Sequence, residues 1–327
     1  MEVGKIPESV LKRSVLKPIK KNRPEVLLHA AVGEDCSALK LAEDEVLVLS
    51  TDPITGTLQD MGKLAVLITA NDLASSGAEP VGLMLTVLLP QGCEEAELKA
   101  LMREIGAQCD AFQMQILGGH TEVTRAVNQP LISVTGVGKV KEGQLISSAG
   151  VKPGMDILVT KTIGLEGTSI LAKEKEQALL TRFSQRFVDT AKAFDEQISV
   201  VKEGILAAQF GVGAMHDVTE GGIFGALWEL AEGSGVGLEI ELLKIPVKQE
   251  TIEICEFFGI NPYGLISSGS MLMAAEDGNG LVMELNKQGI PATIIGKATA
   301  GNDRVLLNQD ERRFLEPPKT DELYKVV

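Results

Sequence analysis

Thr69-Ala70-Asn71-Asp72-Leu73-Ala74-Ser75-Ser76-Gly77-Ala78-Glu79-Pro80 joins the end of an apolar helical run to the start of an apolar strand-like one. Residues 63–76 carry an apolar run that predicts a buried helix. Gly77 supplies the left-handed residue that ends such a helix, and Pro80 cannot continue it. Residues 81–89 then read as a buried strand, closed by Pro90. Asn71 and Asp72 stand inside the apolar helix, where an acid is costly unless it is paired or bound to a cation.

Upstream, residues 1–24 hold many cations (Lys5, Lys12, Arg13, Lys17, Lys20, Lys21, Arg23) and little apolar periodicity, which predicts an arm or short helix ended by Pro24. Strand-like runs follow at 26–32 and 46–50, the second ending at Thr51-Asp52-Pro53. Downstream, Leu98, Leu101 and Ile105 make a helical stripe within 94–112, with acids in its first turn. Residues 114–117 predict a short strand running into a turn, Gly118-Gly119-His120-Thr121-Glu122, and 131–140 alternate as a strand.

Ser147-Ser148-Ala149-Gly150 and Pro153-Gly154 interrupt any pattern, so we expect two domains, 1–145 and 146–327. The second half predicts a strand at 157–160, a turn at 164–168, and helices at 169–175 and 198–210, the latter capped by Gly211. A strand at 214–216, a turn at 217–222 and a helix at 223–232 follow. Strands at 236–242, 270–275, 293–298 and 305–307 enclose one more helix near 280–288. Strict βαβ spacing is missing, which favours mixed sheets in an α/β and α+β protein.

Composition narrows the classes. Of 327 residues 44% are hydrophobic and 23% charged, enough to bury a core and too apolar for a disordered chain. Lys+Arg number 31 against 45 Asp+Glu, a net charge of −14, and no basic patch interleaves with aromatics. That argues against nucleic-acid binding. Cys36, Cys93, Cys109 and Cys255 form no C-x-x-C pair and read as small buried hydrophobes of a reducing compartment. The start, Met1-Glu2-Val3-Gly4-Lys5, lacks a signal-peptide pattern, and the apolar run 64–89 is broken by Asn71, Asp72, Glu79 and Pro80. The expectation is a cytoplasmic protein without a membrane partner.

No P-loop, G-x-G-x-x-G, G-x-S-x-G or H-E-x-x-H signature occurs, and His29, His120 and His216 are far apart in sequence. What remains is a set of acids where irregular backbone meets rigid elements: Asp35, Asp52, Asp72 and Glu122. Singly, each suits a solvated surface or a cap. Jointly they suit Mg²⁺, a hard cation held by a few carboxylates plus substrate phosphates. Gly118 and Gly119 would free backbone N–H groups for phosphate oxygens.

Val32-Gly33-Glu34-Asp35-Cys36-Ser37-Ala38 followed by Ser50-Thr51-Asp52 resembles the paired aspartate segments of the aminoimidazole ribonucleotide (AIR) synthetase superfamily. Gly62-Lys63 with the 69–80 stretch is similar to its most recognisable helix, and Gly118-Gly119-His120-Thr121-Glu122-Val123 to a segment of its hydrogenase-maturation members. Thr162-Ile163-Gly164 with Gly167, His216-Asp217-Val218-Thr219-Glu220-Gly221-Gly222-Ile223, and Ser267-Ser268-Gly269 resemble its C-terminal domain. The ordered set spans roughly residues 26–300.

The resemblance implies a PurM-like two-domain architecture: an N-terminal mixed-sheet domain that binds ATP and metal and forms a barrel across a homodimer, and a C-terminal α+β domain, with ATP in a cleft between the two. It implies ATP and Mg²⁺ as cofactors, with Asp35, Asp52, Asp72 and Glu122 holding metal. Lys63, Asn71, Gly118, Gly119, Thr121, Gly221 and Gly222 would lie near the cofactor, and His120, Glu122 and Asp217 would be catalytic. The implied reaction activates a substrate oxygen by phosphorylation, as in the hydrogenase-maturation branch, with a small-molecule or protein-thiol substrate as the implied partner. The rivals are a small-molecule kinase like thiamine-monophosphate kinase and a non-catalytic nucleotide-binding maturation partner. Two features depart from that branch: the chain ends Leu323-Tyr324-Lys325-Val326-Val327 without the branch's terminal cysteine, and Glu220 stands where a basic residue is usual.

Overall fold

The computed structural model of the chain describes residues 4–21, 23–31, 38–55, 60–317 and 320–327. Contacts divide it into two compact units, residues 1–73 with 78–143, and 74–77 with 144–327.

The first unit runs β1 (Gly4–Lys5), α1 (Glu8–Val10) continuing as a π-helical stretch over Leu11–Leu16, β2 (Val26–Leu28), β3 (Ala38–Leu39), β4 (Glu45–Thr55), α2 (Met61–Ser75), β5 (Glu79–Pro90), α3 (Glu95–Ala111), β6 (Gln115–Thr124) and β7 (Leu131–Lys141). Five strands form one sheet in the order β1-β6-β5-β7-β4, with β5 and β6 parallel and the other pairs antiparallel. Helix α2 covers the face bearing the even-numbered β7 residues, so closely at Gly136 that a Cβ there would sit 2.3 Å from Thr69 Cγ2. Gly77 ends α2 at φ +76°, the Ala78 N–H donating to Leu73 O at 3.1 Å. Helix α3 buries Leu98, Leu101 and Ile105, the stripe its spacing predicts.

Strand β4 does not stop at Thr51-Asp52-Pro53; it pairs with β7 in unbroken register from Glu45↔Lys141 to Thr55↔Leu131. It is the edge strand of its sheet, where a proline costs no ladder bond on the open side. The 118–122 segment is strand β6, not a turn, because β5 offers a parallel partner along its whole length, from Met84↔Gly118 to Pro90↔Thr124. Strand β2 is also shorter than the 26–32 run.

The second unit runs β8 (Asp156–Thr160), α4 (Leu165–Glu174), α5 (Glu176–Leu179), α6 (Gln185–Lys192), α7 (Val201–Phe210), β9 (Ala214–Asp217), α8 (Gly222–Ser234), β10 (Gly237–Glu241), α9 (Gln249–Phe258), β11 (Met271–Ala275), α10 (Gly278–Lys287), β12 (Ala292–Thr299), β13 (Arg304–Asn308) and β14 (Glu311–Phe314). Its seven-stranded sheet is mixed, with β10 parallel to β13 and the other pairs antiparallel. Both faces are covered. Ile157, Val159 and Leu272 pack with Ile223, Leu227 and Leu230 of α8, while Leu158, Met271 and Met273 pack with Ala207 of α7 and Leu281 of α10. Helix α4 starts at Leu165, so the expected turn over 164–168 is mostly helix, Gly164 capping it at φ +72°. Helices α5, α6 and α9 and strand β14 are not predicted by the sequence; α6 and α9 bury only a few residues each, such as Val188 with Ala191 and Ile254 with Cys255. No described helix is long and apolar enough to cross a membrane.

Candidate functional site

The costly acid of α2 is paired. Asp72 Oδ2 accepts a 2.5 Å hydrogen bond from Ser50 Oγ of β4. Side chains alternate along a strand, so Asp52 shares the α2-facing side of β4 with Ser50. Its register partner Val134 is fully buried on that side. Asn71 is also buried, 1% exposed. Asp35 lies outside the described residues.

Glu122 is not brought to this group. The row Asp52, Val134, Leu85, Gly119 crosses the sheet on the α2 side, so the next row, Ser133, Thr86, His120, and with it Glu122, lies on the opposite face. There His120 Nε2 and Glu122 Oε2 stand 3.2 Å apart. Thr121 points back to the covered side and is buried. Among the described residues, no three or more His, Cys, Asp or Glu side chains gather as a metal set would. Of the expected acids, Asp52 and Asp72 therefore lie on one side of the sheet and Glu122 on the other.

The glycines of β6 do not sit in an open turn either. They lie in the ladder with β5, and Gly119, at φ +146°, approaches so closely that a Cβ would sit 1.9 Å from Leu85 O. Their strand borders a pocket of about 440 Å³ whose apolar wall includes Val15, Leu16, Met102 and Ile116 and whose polar groups include Thr86, His120, Ser133 and Thr135. The N-terminus of α2, beside Lys63, is already capped: Gly62 N–H donates to Glu104 Oε2 at 2.9 Å. Burial pushes the Glu104 carboxyl above its ordinary value, against the lowering effect of the Gly62 N–H.

In the second unit three of the singled-out segments meet. Gly164 N–H donates to Ser267 Oγ at 2.6 Å, and Gly167 N–H to Ile266 O at 3.1 Å. Ser267 N–H reaches Thr219 O at 3.3 Å, and Val218 N–H reaches Ser270 O at 2.9 Å. Gly222, at φ +62°, is pressed so tightly that a Cβ would lie 2.6 Å from Tyr263 O. Both glycine N–H groups of this turn are engaged internally, Gly221 with Asp321 Oδ2 at 2.7 Å and Gly222 with Thr219 O at 3.1 Å. These glycines serve close backbone approach rather than open donation.

Around this hub lie acids of distinct character. Asp217 is buried at the end of β9. Glu166 is buried in the first turn of α4, its Oε2 accepting from Ser268 N–H at 3.3 Å, and burial pushes its carboxyl upward. His216 Nδ1 lies 2.7 Å from Asp217 O and Nε2 lies 2.9 Å from Glu229 Oε2. Burial pulls this imidazole down, but Glu229 and Asp217 outweigh it and hold the pKa above that of an ordinary histidine. Sequence reasoning missed Glu166, Glu229, Glu104 and Asp321 as site-shaping residues. Only Asp321 carries a local signal, as a side chain capping the 3₁₀ turn Glu322–Lys325.

Residues 33–140 match the N-terminal domain model of the AIR synthase related proteins, and residues 152–307 match the C-terminal domain model. The chain is 30% identical to a hydrogenase expression/formation protein of Methanocaldococcus jannaschii, covering 99% of this chain and 97% of that protein. It is 29% identical to the carbamoyl dehydratase HypE of Rhodobacter capsulatus, over 88% of this chain and 83% of that one. Among solved structures, Escherichia coli HypE superposes with a TM-score of 0.83 at 23% identity, covering 98% of this chain and 100% of that one. A HypE in complex with ATP gives 0.77 at 21% identity, over 98% and 97%. A thiamine-monophosphate kinase from Aquifex aeolicus, complexed with AMPPCP and TMP, gives 0.70 at 19%, over 87% and 89%.

Proposed function

This chain belongs to the AIR synthase related protein family, and we propose that it is an ATP- and Mg²⁺-dependent enzyme of the hydrogenase-maturation type. Its substrate oxygen is activated by phosphorylation. The observation that carries this reading is the pairing of an acid inside an otherwise apolar helix, Asp72, with Ser50, and the placing of Asp52 on the same side of β4. Fixing carboxylates there costs desolvation that packing alone does not require. Relatives named as hydrogenase expression/formation protein and carbamoyl dehydratase, and a HypE fold neighbour that binds ATP, support it.

Carboxylate oxygens are the donor type Mg²⁺ takes, so Asp52 and Asp72, together with Asp35, are the residues proposed to hold it, whereas Glu122, on the other face of the sheet, is not among them. Mg²⁺ bound there neutralises phosphate charge. His120 and Glu122, hydrogen-bonded on the outer sheet face, can hold and pass a proton, and Asp217 serves the second-domain side. Lys63, Asn71, Gly118, Gly119, Thr121, Gly221 and Gly222 shape the nucleotide surroundings. The outer face of the edge strand β4 leaves Leu47 and Leu49 exposed, 47% and 60%, and a second copy of the chain is proposed to cover it. Light scattering that reports about 34.8 kDa, one chain's mass, overturns the dimer.

A kinase is the second reading, favoured by the fold match to thiamine-monophosphate kinase. Thermal unfolding with ATP, with and without Mg²⁺, tests both, since a ligand at 100 times its Kd stabilises the fold by about 2.7 kcal/mol. Binding only with Mg²⁺ is the expected result. No binding at millimolar ATP overturns both readings, and a stable phosphorylated small molecule among the products selects the kinase.

A further inference from the structure

Asp321 lies near the end of the chain, 1% exposed, and its two carboxylate oxygens are divided between separate loops. Oδ2 accepts from Gly221 N–H at 2.7 Å, in the glycine turn that starts α8. Oδ1 accepts from Ile266 N–H at 3.2 Å, in the loop leading to Ser267 and Ser268, and from Leu323 N–H at 2.8 Å, in the tail itself. Leu323 is buried in the cluster of Leu171, Ile254 and Leu265, with Val326 packed against it, so the carboxylate is delivered by an anchored segment. The tail also helps wall a cavity of about 660 Å³ with Gly221, Phe224, Asn261 and Arg313.

We propose that Asp321 is a positioning residue: by holding Gly221 and Ile266 at once, the carboxy-terminal segment sets the glycine turn 219–222 against the 265–268 loop and so tunes ligand binding at the second-domain site. The functional half of this rests on the reading that the glycine turn belongs to the nucleotide site. Two loops from distant parts of the chain share one acceptor group, and a carboxylate is suited to that because both its oxygens accept. An amide cannot do the same. In Asp321→Asn one oxygen remains, and the NH₂ group faces an N–H donor on whichever side it takes, so one of the two loops must let go.

The test is amide hydrogen exchange, read residue by residue, on the full chain. In the wild type, Gly221, Ile266 and Leu323 are expected to exchange with a common protection, because one carboxylate opens all three. Protections that differ by more than about tenfold after correction for intrinsic rates overturn the proposal, and this measurement needs no variant. In Asp321→Asn, exchange at Gly221 or Ile266 is expected to rise at least tenfold while the middle of α8 stays protected, and the Kd for Mg-ATP to weaken at least fivefold. Ile254→Val, a cavity variant in the same core cluster, serves as the control: it lowers Tm but is expected to move neither exchange at the turn nor the Kd. Unchanged exchange in Asp321→Asn overturns the proposal, as does raised exchange with an unchanged Kd. A wild type that binds no ATP overturns the proposed function instead, and the exchange data then decide by themselves whether Asp321 holds the two loops.

Discussion

Ser50 of β4 and Asp72 of α2 are joined by a 2.5 Å hydrogen bond, which ties an edge strand to the helix that covers it. The bond explains how an apolar helix accommodates an acid, and it places Asp52, two residues along the strand, on the same side.

Asp52→Asn tests the metal role. Asp52 is held in mid-strand by the β7 ladder, so its backbone does not depend on its charge. Removing that charge also relieves repulsion toward Asp72, so stability without ligand should stay within about 0.5 kcal/mol of wild type. Stabilisation by Mg-ATP should fall by about 2–4 kcal/mol, the scale of a lost charge contact. Thermal shifts with Mg-ATP that match the wild type would sink the assignment.

Gly119→Ala should be severely destabilising, by about 3 kcal/mol or more. The added Cβ would meet the Leu85 carbonyl at 1.9 Å, and the backbone there is the positive-φ type that L side chains rarely adopt. If 118–122 were a pliant phosphate-binding turn, the variant would fold normally and lose only ligand affinity. Urea unfolding separates the two outcomes.

His216 carries a pH signature. Its pKa in the folded chain is raised, against burial, by Glu229 and Asp217. Such a group contributes stability that is fully present below its unfolded value, about 6.5, and is lost as pH rises through the folded value. Glu229→Gln should therefore cost most below pH 6.5, and its difference from wild type should shrink as the pH rises. A difference that is constant with pH would contradict this linkage.

Glu25 acts at the other end of the scale. Burial would raise its carboxyl, but Lys139 Nζ at 2.6 Å and Arg23 at 2.9 Å outweigh burial and hold it at about 2, below its ordinary 4.5. Its contribution is present above pH 4.5 and lost as pH falls through about 2. Glu25→Gln should lower stability at pH 7 by about 1–3 kcal/mol and flatten the acid limb between these two values. An unchanged acid-unfolding profile would refute the linkage.

Elements whose cause is local are legible in the amino-acid order alone. Helix α2 ends where Gly77 permits a left-handed residue, α3 buries the 98, 101 and 105 stripe, and β5 is closed at Pro90, because propensity, period and capping act over a few residues. The ordered motifs also carried the family. Which backbone groups find partners depends instead on contacts between distant parts of the chain. Pro53 lies in a strand because β7 runs beside it, and 118–122 is extended because β5 supplies a parallel ladder that outweighs its turn-like composition. Glu122 and Asp52 fall on opposite faces because a strand alternates sides, and no spacing in the sequence reveals the register between strands. Asp321 meets Gly221 across 100 residues of chain, since a buried N–H takes whatever acceptor the fold brings to it, however far away in sequence that acceptor lies.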